Sequence, residues 1–307
     1  MPAIADWLVE PLEFAFMQRA LAAVLVVSVV SAVIGTFVVL KGMAFIGDAL
    51  AHASFAGVAV AFVSGTSIYA GAVAAGVATS LAIGFVSRRT RVSFDTAIGI
   101  LFVGAFSLGI LILSREQGYT VDLFAFVFGD VLSVTPADVR LMLLLGAAVL
   151  LLVLAFYREL VFTAYDPTMA AATGVPVALA EYGLLALVAV TTVIAIKAVG
   201  IVLVVAMLVT PAATARLLVR RVPAMMAVGA LVGGASAVAG LYLSYYAAVA
   251  SGASIVLMAT LAFLLALLLS PRSGLPALLR RRLPAETPGA EAPVPGSIPE
   301  AREPRRG

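Results

Sequence analysis

From Val222 to Pro271 the chain carries no formally charged side chain. A helix at the surface of a soluble protein keeps a polar face, and this stretch has none to offer. Crossing the hydrocarbon core of a bilayer takes about 20 mostly apolar residues. The run is long enough for two crossings, and Ser251-Gly252 supplies a break between them. Uncharged runs recur upstream. They give spans at about 20–40, 43–63, 69–86, 95–113, 137–156, 178–196 and 198–218, and then at about 223–246 and 253–270. Ser64-Gly65-Thr66-Ser67 separates the second from the third. Lys197 and Gly200 mark the junction of the sixth and seventh. The whole chain is 63% hydrophobic and 11% charged, against about 25% charged in a soluble domain. The expected fold is an all-α polytopic membrane protein of about nine transmembrane helices, within a range of about eight to ten.

The placement of charge orients the spans. Lys41, Arg88, Arg89, Arg91, Arg158, Arg216, Arg220, Arg221, Arg272 and Arg280 to Arg282 fall in alternate loops, hence on one side of a nine-span protein. Basic loops stay cytoplasmic, so the N-terminus is expected outside and the C-terminus inside. The other side carries Asp6, Glu10, Glu13, Glu116, Asp122, Asp130 and Asp138. Residues 1–13 have no basic residue, unlike a signal peptide. The transmembrane domain is expected over residues 1–272. Residues 273–307, rich in Pro, Glu, Ala and Arg, are expected to form a disordered cytoplasmic tail. The stretch at 122–134 is apolar but too short to cross, and reads as a half-helix or re-entrant piece. The chain has no cysteine, which excludes disulfides and thiolate metal sites.

Between spans five and six lies AYDPTMAAATGVPV. Asp166 suits an N-cap and Pro167 a first helical turn. Gly174 suits a left-handed stop, and Pro176 forbids continuation. The expectation is a helix of about eight residues, 12 Å long, spanning Pro167, Thr168, Met169 and Ala170 on the cytoplasmic side. It serves either as a connector or as a knob presented to a partner.

The second span contains FIGDALAHASFAG, with Asp48 and His52 one turn apart. His52 is the sole histidine. Residues at i and i+4 share a helix face. An ionised carboxylate within a span costs on the order of 2.5–3.5 kcal/mol at the helix centre. Two readings stand. The pair locks the span to a neighbour through small residues such as Ala49, Ala53 and Gly57, or it lines a cation or proton path. A carboxylate oxygen and an imidazole nitrogen suit Zn, Mn or Fe better than soft Cu(I). Two ligands leave the sphere unfilled, so such a site would be weak and transient. Elsewhere, Asp95 reads as the N-cap of span four. Thr191, Thr192 and Thr210 are expected to bond back to their own helices. Lys197 is placed to snorkel, Met43 and Met207 to pack, and Tyr242, Tyr245 and Tyr246 to form an interfacial belt.

Several stretches resemble one known family: FMQRAL (16–21), GMAFIGDALAHASFAGVA (42–59), DTAIGILF (95–102), DLFAFVFGDVLSVT (122–135), VGIVLVVAMLVTPAATARLL (199–218) and GLYLSYYAAVASGASIVL (240–257). Together they resemble the permease subunit of bacterial ABC importers for zinc, manganese or iron, over about residues 14–272. The resemblance implies a multi-pass protein of the bacterial plasma membrane. It implies that Asp48 and His52 line the path of a transported Zn2+ or Mn2+, or Fe2+. It further implies that the Asp166–Gly174 helix is the coupling helix, where an ATPase docks. Members associated with zinc often carry a further histidine near the end of span eight, where this chain has Tyr245-Tyr246.

The chain lacks a G-x-x-x-x-G-K-[ST] phosphate loop, and its two lysines, Lys41 and Lys197, follow none. It is therefore expected to be a transport subunit and no enzyme. The importer reading needs a separate cytoplasmic ATPase, an extracytoplasmic metal-carrying solute-binding protein and a second permease copy, all in a lipid bilayer. No nucleic-acid partner and no tightly bound cofactor are expected. A competing class is a proton- or ion-coupled secondary transporter using Asp48 and His52 as a relay. Another is a non-transporting membrane scaffold.

Overall fold

A computed structural model describes residues 9–115 and 131–270. The expected tail at 273–307 and most of the expected re-entrant piece at 122–134 lie outside the described residues. Within that piece Val131–Ser133 forms a 3-10 turn. The described chain is all helical: α1 (Ala15–Leu40), α2 (Ile46–Ser64), α3 (Ile68–Arg89), α4 (Phe94–Leu113), α5 (Pro136–Ala155), α6 (Tyr157–Tyr165), α7 (Pro167–Ala172), α8 (Val177–Leu218), α9 (Val222–Ala247) and α10 (Ser251–Leu269).

Local chemistry sets the ends. Gly65 closes α2 at φ 64°, in the left-handed region. Ser67 caps α3 through its side chain. Thr135 and Asp138 form a reciprocal capping box at the start of α5. Ser93, not Asp95, caps α4: its Oγ accepts the Thr96 N–H at 3.2 Å. Asp95 sits one residue inside the helix, where a carboxylate still favours the positive dipole end.

The expected sixth and seventh spans form one element, α8, broken at Gly200 (φ 73°, ψ 171°). The chain reverses there. Glu181, near the start of α8, lies 3.3 Å from Lys41 Nζ. Arg216, near its end, donates to the Val39 carbonyl at 2.7 Å. A straight helix would hold residues 181 and 216 about 50 Å apart, yet both meet the same end of α1. An L side chain is essentially excluded at this φ/ψ pair. Eight helices are long and apolar enough to cross a membrane among the described residues, and the return arm, Leu203–Leu218, is a shorter apolar helix.

Helices α1 and α2 are interior, each with about two thirds of its most apolar window buried. Met17, Ile34 and Phe37 of α1 are fully enclosed. Small residues let the helices approach. A Cβ on Gly57 would strike the Gly71 backbone, and one on Gly71 the Gly57 backbone, so α2 and α3 pack with their backbones nearly touching. Leu108 and Leu111 of α4, Leu144 and Leu154 of α5, and Leu257 and Leu269 of α10 face outward, as lipid requires.

The two ends of the bundle differ in chemistry. Lys41, Arg88 and Arg216 gather at one end with Glu181. At the other, Tyr69 Oη donates to Asp138 Oδ1 at 2.6 Å, and Phe14 meets Tyr245 at 6.2 Å between ring centroids. Tyr245 in turn meets Tyr246 edge-on, as the aromatic cluster there predicts. Met43 and Met207 are buried, as expected of packing residues. The threonines depart from expectation. Among the described residues, the Oγ1 atoms of Thr191 and Thr192 are buried and bond to nothing. The back-bond in this region belongs to Thr214, which donates to the Thr210 carbonyl. A helix carbonyl already accepts one N–H, so a threonine back-bond is optional, and close packing can forbid its rotamer.

Candidate metal site

The site begins at a tight reversal. Lys41 N–H bonds to the Phe37 carbonyl and Met43 N–H to the Val38 carbonyl, with Gly42 between them at φ 71°. This stops α1 and starts α2 within a few residues. Asp48 then falls in the first turn of α2, where the helix dipole favours an ionised carboxylate. That offsets part of the cost of a charge near a membrane.

His52 lies one turn further on. Its Nδ1 is 3.0 Å from the Asp48 carbonyl oxygen and 3.5 Å from Asp48 Oδ1. A carbonyl only accepts, so this hydrogen bond requires the proton on Nδ1. In the neutral ring Nε2 then keeps its lone pair, the form in which imidazole binds a metal. The ring is held edge-on by Phe102 at 6.1 Å and Phe106 at 5.5 Å, both from α4. Phe106 is itself propped by Phe55 at 5.4 Å. These two phenylalanines were not singled out in the sequence. Their i, i+4 spacing was the available signal.

The pair faces out of the single chain. The side chains of His52 and Asp48 are 30% and 44% exposed. Phe45, Asp48 and His52 form one open stripe, while Ala49, Ala51, Ala53 and Ser54 on the other faces are buried. No group of three or more His, Cys, Asp or Glu side chains that could hold a metal occurs among the described residues. Asp48 and His52 thus stand as a pair among the described residues, and any ion held there would need further ligands from water, backbone or another chain.

The short helix forms as its residues suggest, though with six residues in place of about eight. Asp166 Oδ1 accepts the Met169 N–H at 2.8 Å, and Pro167 occupies the first turn. At the other end Gly174 adopts φ 86°. Gly174 N–H bonds to the Ala171 carbonyl and Val175 N–H to the Ala170 carbonyl. Ala170 is fully buried and anchors the helix, while Thr168 and Met169 are exposed. Beside it lies a cavity of about 430 Å³, lined in part by Lys41, Arg88, Asp95, Pro167 and Glu181. Glu181 was also missed in the sequence, because its partners are distant along the chain.

A family model described as the ABC 3 transport family matches residues 13–270. The chain belongs to the ABC 3 transport family. The match covers nearly the stretch over which the motifs carry the resemblance. The manganese transport system membrane protein MntC of Halalkalibacterium halodurans is 49% identical over 263 residues, covering 86% of this chain and 90% of that protein. The manganese import system permease protein ScaB of Streptococcus gordonii is 37% identical, covering 85% of this chain and 93% of that one. Among solved structures, PsaBC from Streptococcus pneumoniae in complex with Fab superposes with a TM-score of 0.79 at 36% identity, over 88% of this chain and 98% of that chain. The PsaBC chain shares the helical architecture, and the ABC 3 assignment makes this chain a membrane transport component.

Proposed function

We propose that the chain is the permease subunit of an ATP-driven importer of a divalent transition metal, with manganese the favoured cargo. The observation that carries this reading is the Asp48–His52 pair, held open on α2 with Nε2 available. The naming of MntC and ScaB as manganese proteins supports the metal. One carboxylate and one neutral imidazole also fit an ion at home with oxygen and nitrogen ligands. A zinc cargo has less support.

In this reading α2 lines the path and a second copy of the chain faces it. Two copies bring two carboxylates and two imidazoles together, and water fills the rest of the sphere. The basic end of the bundle is cytoplasmic, and an ATPase docks on α7 there. A metal-carrying solute-binding protein delivers the ion at the opposite end. ATP binding closes the ATPase pair, α7 transmits the movement, and the path opens outward. After hydrolysis it opens inward and the ion leaves past Asp48 and His52.

The test is Mn2+ uptake into proteoliposomes holding the permease and its ATPase. Asp48→Ala with His52→Ala should abolish ATP-dependent uptake while the complex still assembles. Uptake at the wild-type rate would refute the reading. Uptake without the ATPase that collapses with a proton uncoupler would favour a secondary transporter instead.

A further inference from the structure

Helices α7 and α8 are joined by residues 173–176 alone, and that linker folds back on α7 through the Gly174 and Val175 amides. Any displacement of α7 therefore carries the first turns of α8 with it. Glu181 stands in the second turn of α8. Its two carboxylate oxygens go to two different helices. Oε1 lies 3.3 Å from Nζ of Lys41, the residue that ends α1. Oε2 accepts a hydrogen bond from Nη1 of Arg88, in the last turn of α3. The three side chains are partly shielded, at 29%, 13% and 37% exposed.

The contacts of this trio are unlike the rest of the bundle. Elsewhere helices meet mainly through apolar side chains and bare backbone, with single polar links such as Tyr69–Asp138 and Arg216 to the Val39 carbonyl. Here three helix ends meet around the 430 Å³ cavity, whose walls also include Thr163, Pro167 and Tyr182. Close packing tolerates discrete rearrangements and no gradual sliding. Charged arms across a cavity tolerate movement, because long side chains follow each other over several ångströms. The Lys41 arm leads straight to the metal pair: Gly42 and Met43 follow it, and Asp48 lies in the next helix turn. Asp95 is the remaining carboxylate on the cavity wall, and it is exposed.

We propose that Glu181 is a positioning residue that couples α7 to the metal-bearing helix: its carboxylate ties the α7–α8 corner to the ends of α1 and α3, so that α7 movement reaches Asp48 and His52. This inference rests on the reading of α7 as the ATPase dock. It adds a defined route and a defined residue.

The experiment uses the full permease–ATPase complex in liposomes, with Mn2+ as probe, and reads Mn2+ imported per ATP hydrolysed beside thermal stability. With Glu181→Gln the complex should assemble and hydrolyse ATP, while the ratio falls about fivefold or more, the lower range of an ordinary coupling free energy. Glu181→Asp, which keeps the charge, should recover part of the ratio. Lys41→Gln with Arg88→Gln should match Glu181→Gln, and the triple variant should be no worse, since residues acting as one unit are non-additive. An unchanged ratio in Glu181→Gln overturns the proposal, as does a fall that the other two substitutions deepen additively. If Glu181→Gln fails to assemble, Lys41→Gln and Arg88→Gln separately leave one arm each. Intermediate ratios then support the strut, and wild-type ratios in both overturn it. Met169→Glu separates the two ideas. If it leaves the ATPase bound, the docking role of α7 fails. If it releases the ATPase while Glu181→Gln couples normally, only the strut fails.

Discussion

Replacing Asp166 by alanine should weaken docking of the ATPase by about two- to fivefold. Helix α7 has six residues, Pro167–Ala172. In water a helix so short does not stand alone, because nucleation costs more than its few hydrogen bonds return. It persists through the Asp166 cap at 2.8 Å, the Gly174 stop and the burial of Ala170. Losing an aspartate N-cap costs about 1 kcal/mol in a typical case. Since 1.4 kcal/mol is a factor of ten, that is about fivefold in the population of formed helix. Apparent affinity falls with the fraction of competent conformation. Fivefold is thus the ceiling, reached if α7 is marginal in the free permease. The remaining supports set the lower figure.

The assay is titration of the ATPase subunit onto the permease in nanodiscs. Asparagine caps as well as aspartate, so Asp166→Asn should restore nearly all the affinity. Met169→Glu alters the exposed contact itself and should cost more than the cap. Equal losses in Asp166→Ala and Asp166→Asn would show that the charge matters and the cap does not. Full affinity in Asp166→Ala and Met169→Glu together would refute docking on α7.

Three further outcomes are expected. Gly200→Ala places a Cβ in a backbone region open essentially to glycine alone, at a cost of about 1–3 kcal/mol. Thermal unfolding in detergent should show a lower Tm, and an unchanged Tm would contradict the reversal geometry. Tyr69→Phe removes one donor from the buried Asp138 carboxylate, which keeps its bonds from Thr135. The loss should be about 1–2 kcal/mol in the same measurement, with no change in metal selectivity. Phe106→Ala removes one of the two rings holding His52. It should lower the rate of Mn2+ uptake several-fold while assembly and ATP hydrolysis persist, and unaltered uptake would show that the imidazole needs no such support.

The spans were legible because membrane crossing is a one-dimensional problem: length and hydrophobicity decide it. The reversal at Gly200 was legible for a related reason. A stretch too long for one crossing must turn, and Gly200, three residues past Lys197, marks the place. The short helix was readable from its caps, which act over three or four residues. What escaped was long-range or had near-equivalent local solutions. Ser93 and Asp95 both suit an N-cap, and only the backbone decides between them. Glu181 meets Lys41 and Arg88 across 140 and 93 residues, and no periodicity encodes that. Thr191 and Thr192 depart from expectation because a threonine back-bond is optional, so sequence position alone does not decide it.

The incompleteness of the Asp48–His52 pair fits the proposed role better than a finished site would. An ion pathway must bind its cargo well enough to admit it and weakly enough to let it go. A cage of three or four side chains from one chain would hold a transition metal through many cycles. Two ligands on an open helix face hold it only while something opposite completes the sphere. If that partner is the second copy, a change in the separation of the two α2 helices changes the number of ligands and hence the affinity. Conformational change then sets affinity directly. The same geometry explains why the imidazole is fixed so closely, by a carbonyl and two rings. If the pair is to hold an ion with so few ligands, each must already point the right way when the rest of the sphere arrives.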